Sequence, residues 1–375
     1  MLKYQAASRQ CLQALVRRPQ ARHSSSIDFS KLEATLKERE LPVIHDTLSP
    51  TPSYLLNQSL KDFLDSERYA PVFTPAPRYR HLRLPPGHHL VYFSTPTTAS
   101  QLLPDGTDTL HSPGPPFTQR LWAGGRVQFV DPDQLRLDCR PAALVERIQD
   151  VRVTREEGLE KIFVGIERRI GKWIEGELAA TMRRIMLESP EEEMKASMKH
   201  SAGLIERRDL CFLRSDVSPL SSSGTPRKAL KPPPNPSFVF PLTPTPALLF
   251  RFSALTFNAH AIHIDPEYTR NVYGLPKLLV HGPLCLTLML ESLNRTIKGT
   301  ERTLIKEITY RNFRPVFVGE ELRVCGKMKA SDRGQGSSSE IQDWEIWIET
   351  GNGENATLAV RGTASVTAGR PRTRK

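Results

Sequence analysis

Residues 281–295 read HGPLCLTLMLESLNR, and this stretch decides the fold. An apolar run of this length that opens on Gly282-Pro283 predicts a long helix. Segments that alternate apolar and polar residues follow it and predict three or four strands; they read RTLIKEITYRNF, EELRVCGKMKA, DWEIWIET and NATLAVRGTASV. One long apolar helix followed by an antiparallel meander is an α+β arrangement in which the sheet wraps around the helix.

The first half of the chain carries a similar β pattern. Alternating segments between residues 121 and 170 and at 203–214 predict strands; they read LWAGGRVQFV, LRLDCRP, ALVERIQDVRVTRE, KIFVGIERRI and GLIERRDLCFLR. HHLVYF (88–93) and ALLFRFSAL (247–255) also look like strands, and residues 27–70 predict two short helices with Ser53 as the N-cap of the second. We interpret this half as a degenerate version of the second half, although no sequence repeat relates them.

Composition divides the chain further. Residues 216–246 contain nine prolines and few packable side chains, which predicts an interdomain linker. We therefore expect an N-terminal unit at 26–215, with a charged helical insertion at 171–202, and a C-terminal unit at 247–369.

The net charge of +11 is concentrated at the two ends. Residues 1–22 carry five basic residues and no acid, and the tail 370–375 carries four, which leaves +2 for the rest of the chain. A nucleic-acid binder needs a basic face within a folded domain, so this charge distribution argues against nucleic acid as a partner. The Arg-rich, acid-free start instead predicts a mitochondrial transit peptide at 1–25, with a disordered basic arm as the alternative.

Two other classes of protein are disfavoured. No run of 18 apolar residues occurs, so no membrane span is expected. The five cysteines lack C-x-x-C spacing, which argues against a disulfide framework or structural zinc and fits a reducing compartment such as the mitochondrial matrix.

The segment before the long helix carries the candidate chemistry. Asn258, His260 and His263 form N-x-H-x-x-H, Asp265 follows, and His281 directly precedes the helix. Satisfied polar packing is one interpretation. A metal site of His260 and His263 with Asp265 or His281 is a second, but H-x-x-H lacks the i, i+4 spacing of helical zinc sites. A nucleophilic triad is disfavoured because no G-x-S-x-G occurs and Cys285 lies inside the apolar helix run.

An acid–base site is the interpretation we favour. His263 would move a proton, and the amide of Gly282 at the helix start would polarise a carbonyl, since Pro283 has no N–H. Such a pair suits chemistry next to a thioester carbonyl, where negative charge develops on oxygen.

These residues carry a family resemblance. FSALTFNAHAIHIDPEYT and LVHGPL resemble the signature and the central-helix start of the hot-dog (MaoC-like) (R)-specific hydratase/dehydratase superfamily. RLWAGGRVQF (120–129) is similar to a motif of its double hot-dog members, the fungal mitochondrial 3-hydroxyacyl-thioester dehydratase type 2 proteins and the mesaconyl-C4-CoA hydratases. The resemblance implies two hot-dog units in one chain, each an antiparallel sheet around a helix.

The resemblance also implies the activity and its partners. It predicts a hydro-lyase that interconverts (3R)-3-hydroxyacyl and trans-2-enoyl thioesters of acyl carrier protein or coenzyme A, in mitochondrial fatty acid synthesis. No redox or metal cofactor is expected, and a homodimer is left open. Hydration of a mesaconyl-C4-CoA-type substrate and non-catalytic acyl-thioester binding are the alternatives.

Residue by residue, the family's catalytic His falls on His263, its catalytic Asp on Asn258 and its Asn on His260. Gly282 would hold the thioester oxygen. Arg311 and Arg314 are candidates for contact with phosphopantetheine or coenzyme A phosphates. His281 is expected mainly to lead into the helix, and Asp265 to cap the next helix, with a role orienting His263 as the alternative.

Asn258 departs from the family pattern, because an amide cannot take a proton. Either His263 alone handles the proton while Asn258 orients the water or hydroxyl, or His260 supplies a second titrating group. A third interpretation is an inactive protein. The subgroup that the chain resembles carries Asn at this position too, and the first interpretation is therefore favoured. Trp122 and Gly124-Gly125 are expected to form a structural turn or strand start, with lining of the acyl tunnel as the alternative.

Overall fold

The computed structural model describes nine stretches of the chain: residues 27–64, 82–156, 158–173, 176, 178–188, 202–217, 229–297, 303–329 and 341–367. Within them, ten strands form one antiparallel sheet: β1 (Ile44–Thr47), β2 (Gln119–Phe129), β3 (Pro141–Thr154), β4 (Lys161–Lys172), β5 (Leu204–Leu213), β6 (Phe238–Leu242), β7 (Leu304–Asn312), β8 (Leu322–Met328), β9 (Ile341–Thr350) and β10 (Thr357–Thr367). Their order across the sheet is β1-β3-β4-β5-β2-β7-β10-β9-β8-β6.

This strand order contains a structural repeat. Read outward from the centre, one half runs β2-β5-β4-β3-β1 and the other runs β7-β10-β9-β8-β6. If the strands of each half are numbered from one to five along the chain, both halves have the same spatial order, 2-5-4-3-1. The interpretation of the first half as a second copy of the same unit agrees with this topology.

Six helices accompany the sheet in the described residues: α1 (Phe29–Lys37), α2 (Pro50–Leu60), α3 (Ala179–Glu188), α4 (Pro246–Leu255), α5 (Pro266–Asn271) and α6 (Gly282–Ile297). The predicted long helix is α6, which packs against β2, β7, β8 and β9. All of its residues from Leu284 to Leu293 are buried, so it is the centre of the hydrophobic core. The sheet wraps around this helix, as the sequence predicted.

Two glycines in β2 allow this strand to pair closely with its neighbours on both sides, β7 and β5. Strands β2 and β7 pair at the centre, and β2 has a bulge next to Gly124. A Cβ on Gly124, whose φ is +151°, would lie 2.4 Å from the carbonyl oxygen of Tyr310, and one on Gly125 would lie 2.1 Å from that of Arg207. The Gly124-Gly125 pair is therefore needed for close strand pairing. It lies in the interior of β2 beside a bulge, and not at the turn or strand start that was expected.

Three local predictions were wrong. Residues 247–255, predicted as a strand, lie in helix α4, because Thr245 caps the amide of Leu248 and Pro246 occupies the first turn. HHLVYF forms a 3₁₀ turn at His88–Val91 after Gly87 in the left-handed region. LRLDCRP contributes only an isolated bridge between Arg83 and Arg136.

The N-cap and the linker also need correction. Helix α2 begins after Ser49, while Ser53 is buried and its hydroxyl bonds that of Tyr92 at 2.9 Å. The segment 216–246, predicted as a linker, contains strand β6, which pairs with β8. Proline is tolerated there because β6 is the last strand of the sheet.

Several predicted segments lie outside the described residues, including the transit peptide at 1–25, the basic tail at 370–375 and half of the insertion at 171–202. The described part of that insertion contains α3. No helix in the described ranges is both long and apolar enough to cross a membrane. Four described cysteines are free thiols, and burial raises the pKa of Cys285 to about 12, which fits inert packing.

The N-terminal half buries a row of charges across its sheet. Arg168 on β4 donates to Glu146 on β3 at 3.0 Å and to Glu206 on β5 at 3.1 Å. All three side chains are at most 6% exposed. Burial alone would raise the pKa of Glu146, but His111 and Arg168 hold that pKa at about 2. Burial would likewise raise the pKa of Glu206, but Arg208, 2.8 Å away, and Arg168 hold it well below its usual value. Both carboxylates are thus ionised, and Arg168 is bonded to both of them.

We expect Arg168→Met to destabilise the fold by about 3–5 kcal/mol, because it leaves two buried carboxylates without this partner. Urea unfolding followed by circular dichroism measures the change. Arg126→Met is the matched control: the Arg126–Glu307 pair at 2.7 Å has side chains that are 46% and 31% exposed, and its loss is expected to cost about 0–1 kcal/mol. Equal effects of the two substitutions would contradict the role of the buried row.

Candidate active site

The candidate residues before α6 lie on a compact turn after α4. Phe257 adopts a left-handed φ of 51°, and the amide of Asn258 donates to the carbonyl of Ser253 at 2.8 Å. The side-chain oxygen of Asn258 accepts the amide of His260 at 3.0 Å. This local bond engages the acceptor of Asn258, and the side-chain NH₂ is the donor that Asn258 can offer to a ligand.

His263 is held in one neutral form. Its Nδ1 lies 2.6 Å from the carbonyl oxygen of Leu279, which can only accept, so Nδ1 carries the hydrogen and Nε2 keeps a lone pair. The ring is 6% exposed, and this burial lowers the pKa of His263 to about 4, against a smaller opposing effect of the Leu279 bond. At neutral pH His263 is therefore an uncharged base.

His281 lies behind this base. Its ring stacks on that of His263, with centroids 3.7 Å apart and planes 21° apart, and its Nε2 meets the hydroxyl of Ser253 at 2.8 Å. Burial, followed by the neighbouring His263 and His260, holds the pKa of His281 well below its usual value. The stack fixes the plane of His263, so His281 acts as support.

His260 belongs to a network that the sequence did not reveal. Its Nε2 lies 3.0 Å from the hydroxyl of Tyr273 and 3.4 Å from Oδ2 of Asp105. Asp105 comes from the N-terminal half, in the sequence PDGT. That sequence signals only a turn, so nothing in it marks Asp105 as a site residue.

Gly282 is the first residue of α6 and packs against strand β2 of the N-terminal half. A Cβ on Gly282 would lie 2.6 Å from the Cβ of Trp122 on β2. The indole of Trp122 is fixed by a 2.7 Å bond from Nε1 to the hydroxyl of Tyr310. The first amides of a helix have no intrahelical acceptor, and Gly282 lacks a side chain that would shield its own. Trp122 and Gly282 both line the cleft.

A single cleft of about 1670 Å³ is lined by both halves of the chain. The sequence-predicted residues that line it are Asn258, His260, His263, Gly282, Arg311 and Arg314. Trp122, Gly124 and Gly125 line it as well, in agreement with the alternative considered for them. Arg311 and Arg314 are exposed, and the Arg311 guanidinium lies 5.5 Å from the ring centre of Phe313.

Asp265 is used elsewhere. Its carboxylate accepts the amides of Glu267 and Tyr268, each at 2.9 Å, and so caps α5 as the sequence predicted. Within the described residues, no group of three His, Cys, Asp or Glu side chains is arranged to hold a metal ion. Near the cleft, His260, His263 and His281 each bond a different protein partner through one ring nitrogen.

Known proteins are similar to this chain over most of its length. The sequence model of the hydroxyacyl-thioester dehydratase type 2 family matches residues 87–318. The mitochondrial hydroxyacyl-thioester dehydratase type 2 of Schizosaccharomyces pombe is 29% identical over 299 residues, which cover 76% of this chain and 89% of that protein. Mesaconyl-C(4)-CoA hydratase of Chloroflexus aurantiacus is 31% identical over 56% of this chain and 63% of its own length.

A solved structure has the same fold. The MaoC-like dehydratase of Phytophthora capsici aligns over 89% of this chain and 97% of its own, with a TM-score of 0.53 and 13% identity. Together with the strand order, this likeness confirms the double hot-dog architecture.

Proposed function

The chain belongs to the hydroxyacyl-thioester dehydratase type 2 family, and from this premise we propose that it interconverts (3R)-3-hydroxyacyl and trans-2-enoyl thioesters. It is a hydro-lyase. The proposal rests on the geometry of His263. Its Nδ1 donates to the Leu279 carbonyl, which leaves Nε2 as an unprotonated base in the cleft that Asn258 and Gly282 also line.

In the hydration direction, Nε2 of His263 takes a proton from water as the water oxygen bonds to C3 of the enoyl group. The electrons of the C2–C3 double bond move toward the thioester carbonyl, and negative charge develops on its oxygen. The amide of Gly282, at the positive end of α6, stabilises that charge. The proton then passes from His263 to C2, so one water has added and the imidazole is neutral again.

Asn258 orients the water or the 3-hydroxyl in this scheme. Its oxygen holds the amide of His260, so its NH₂ donates to the water oxygen while His263 accepts the proton. His263 carries out the proton transfers in this scheme, so no carboxylate is needed at position 258.

We expect Asn258→Ala to lower kcat by about tenfold, because it removes one orienting hydrogen bond. Asn258→Asp, the matched variant, keeps the acceptor for the His260 amide but also lacks the NH₂ donor, so it should lose activity to a similar extent. Steady-state hydration of crotonyl-CoA measures both. Wild-type kcat in Asn258→Ala would contradict the orienting role.

The carrier and the compartment are part of the proposal. Arg311 and Arg314 are exposed cations on the cleft, suited to the phosphates of coenzyme A or of the phosphopantetheine on acyl carrier protein. Relatives named as mitochondrial and the acid-free, basic residues 1–22 support import into the mitochondrial matrix and a place in fatty acid synthesis.

A second candidate is hydration of a short branched dicarboxylyl-CoA. The 31% identity to mesaconyl-C(4)-CoA hydratase favours it. Arg120 and Arg208 also line the cleft, where they pair with Asp108 and Glu206 at 3.1 and 2.8 Å, and a distal carboxylate would share these cations.

A substrate panel separates these functions. Crotonyl, longer enoyl and mesaconyl thioesters, on coenzyme A and on acyl carrier protein, are incubated with the purified protein, and the products are resolved by chiral chromatography. We expect (3R)-3-hydroxyacyl products from straight-chain substrates. Turnover of mesaconyl-CoA alone would support the second candidate, and binding without turnover on every substrate would support a non-catalytic protein.

A further inference from the structure

The buried carboxylate of Asp105 reaches the candidate site from the other half of the chain. The turn that carries it fits closely against the segment before His263. The Asp105 carbonyl accepts the amide of Ala261 at 2.8 Å, and a Cβ on Gly106, whose φ is +80°, would lie 2.0 Å from the carbonyl oxygen of Ala259. Asp105 itself is 5% exposed. The approach of this carboxylate is thus built into the contact between the two halves.

The hydrogen bonds around Asp105 have a defined direction. Its Oδ1 accepts the amide and the hydroxyl of Thr107, at 3.0 and 2.7 Å. Its Oδ2 lies 3.3 Å from the hydroxyl of Tyr273, and a carboxylate can only accept, so Tyr273 is the donor. The Tyr273 oxygen then accepts from Nε2 of His260, 3.0 Å away.

This direction decides the tautomer of His260. With the hydrogen on Nε2, Nδ1 keeps the lone pair of the neutral ring. The His260 ring lines the cleft, whereas Asp105 and Tyr273 lie behind it. Burial, followed by His263 and Arg120, holds the pKa of His260 well below its usual value, so the ring is neutral at pH 7.

We propose that Asp105 is a positioning residue that acts through Tyr273 to fix His260 as the Nε2–H tautomer. In that form His260 presents Nδ1 as an acceptor for the water or 3-hydroxyl oriented by Asn258. The inference rests on the proposed function. It gives the site a further acceptor near position 258, where the Asn258 oxygen already accepts the His260 amide. His263 remains the group that carries the proton.

Asp105→Asn tests this directly, because it reverses one hydrogen bond. The amide oxygen keeps the bonds from Thr107, while the NH₂ in place of Oδ2 donates to the Tyr273 oxygen. The Tyr273 hydroxyl must then donate to Nε2 of His260, and the ring hydrogen moves to Nδ1. The acceptor that faces the water or hydroxyl is lost.

The experiment combines ¹⁵N NMR of histidine-labelled protein with crotonyl-CoA hydration. In wild type we expect His260, assigned from a His260→Gln spectrum, as the Nε2–H tautomer. In Asp105→Asn it should become Nδ1–H, with kcat lowered about tenfold and KM within about twofold. Tyr273→Phe, which keeps the ring but removes the relay, should lower kcat similarly.

Asp343→Asn is the matched control, since Asp343 on β9 also accepts a hydroxyl, that of Ser365 at 2.7 Å, but is not among the residues that line the cleft. It should change neither readout. An unchanged His260 tautomer in Asp105→Asn, or an unchanged kcat, would overturn the proposal. If wild type hydrated no enoyl thioester, the proposed function would fail, while the tautomer would still decide whether Asp105 controls His260.

Discussion

Replacing His263 by Ala is expected to lower kcat for enoyl-thioester hydration by about 10²–10⁴-fold, with KM little changed. His263 is the group expected to carry the proton between water and C2. Asn258 is an amide, and Nε2 of His260 and Nε2 of His281 are bonded to the hydroxyls of Tyr273 and Ser253. Steady-state kinetics with crotonyl-CoA measures the loss. His45→Ala, an exposed histidine on β1, is the control and should behave as wild type.

The pH profile gives the same account a second readout. Burial lowers the pKa of His263 to about 4, so the neutral base persists as the pH falls through the range in which an ordinary histidine, with a pKa of about 6.5, becomes charged. Wild-type kcat should therefore stay nearly level from pH 8 to about pH 5 and decline toward pH 4. A decline centred near pH 6.5 would contradict the neutral, buried state of His263.

Gly282→Ala is expected to lower kcat on the order of 100-fold, in line with the loss of one oxyanion donor. The new methyl group would lie 2.6 Å from Cβ and 2.7 Å from Cγ of Trp122, so the helix start or β2 must move. The Trp122 indole donates to the hydroxyl of Tyr310, and the Trp122 backbone carbonyl accepts from Nδ2 of Asn312 at 2.8 Å. These two hydrogen bonds oppose a displacement of Trp122. The displaced amide would no longer meet the thioester oxygen.

Thr296→Ala, an exposed position near the end of the same helix, is the control for a substitution in α6 and should leave kcat unchanged. Circular dichroism establishes that both variants fold. A folded Gly282→Ala protein with kcat within twofold of wild type would contradict the role of the helix start.

The second half of the fold was predictable because its elements are long and strongly patterned. The run from Leu284 to Leu293 is apolar enough to be a buried helix, and the four strands after it alternate clearly. Short apolar segments were ambiguous, as ALLFRFSAL shows: its residues suit a buried strand, and the Thr245-Pro246 pair before it was the sign of a helix start.

The internal repeat was not predictable in detail, because strand order is a property of pairing. Nothing in the alternation of β2 or β7 indicates that these two strands meet at the centre of one sheet. Strand β6 was not predicted either. The proline-rich composition around it indicated a linker, and its five residues at the sheet edge are too few to show a strand pattern.

The candidate site divides similarly. His263, Asn258 and Gly282 lie within 25 residues of one another, and their types and spacing predicted the chemistry. Asp105, Tyr273 and Trp122 contribute through contacts that only folding creates. Asp105 and His260 are 155 positions apart in the sequence but close in the structure. Trp122 likewise contacts Gly282 from the other half of the sheet.

The central claim is that a neutral His263 adds water to an enoyl thioester in this cleft, and one measurement tests it most directly. Wild type and His263→Ala are incubated side by side with crotonyl-CoA in D₂O, with binding measured in parallel by calorimetry. We predict that wild type forms (3R)-3-hydroxybutyryl-CoA with one deuterium at C2, and that His263→Ala binds the substrate but forms almost none. Equal product from the two proteins, or binding by wild type without any product, would contradict the claim.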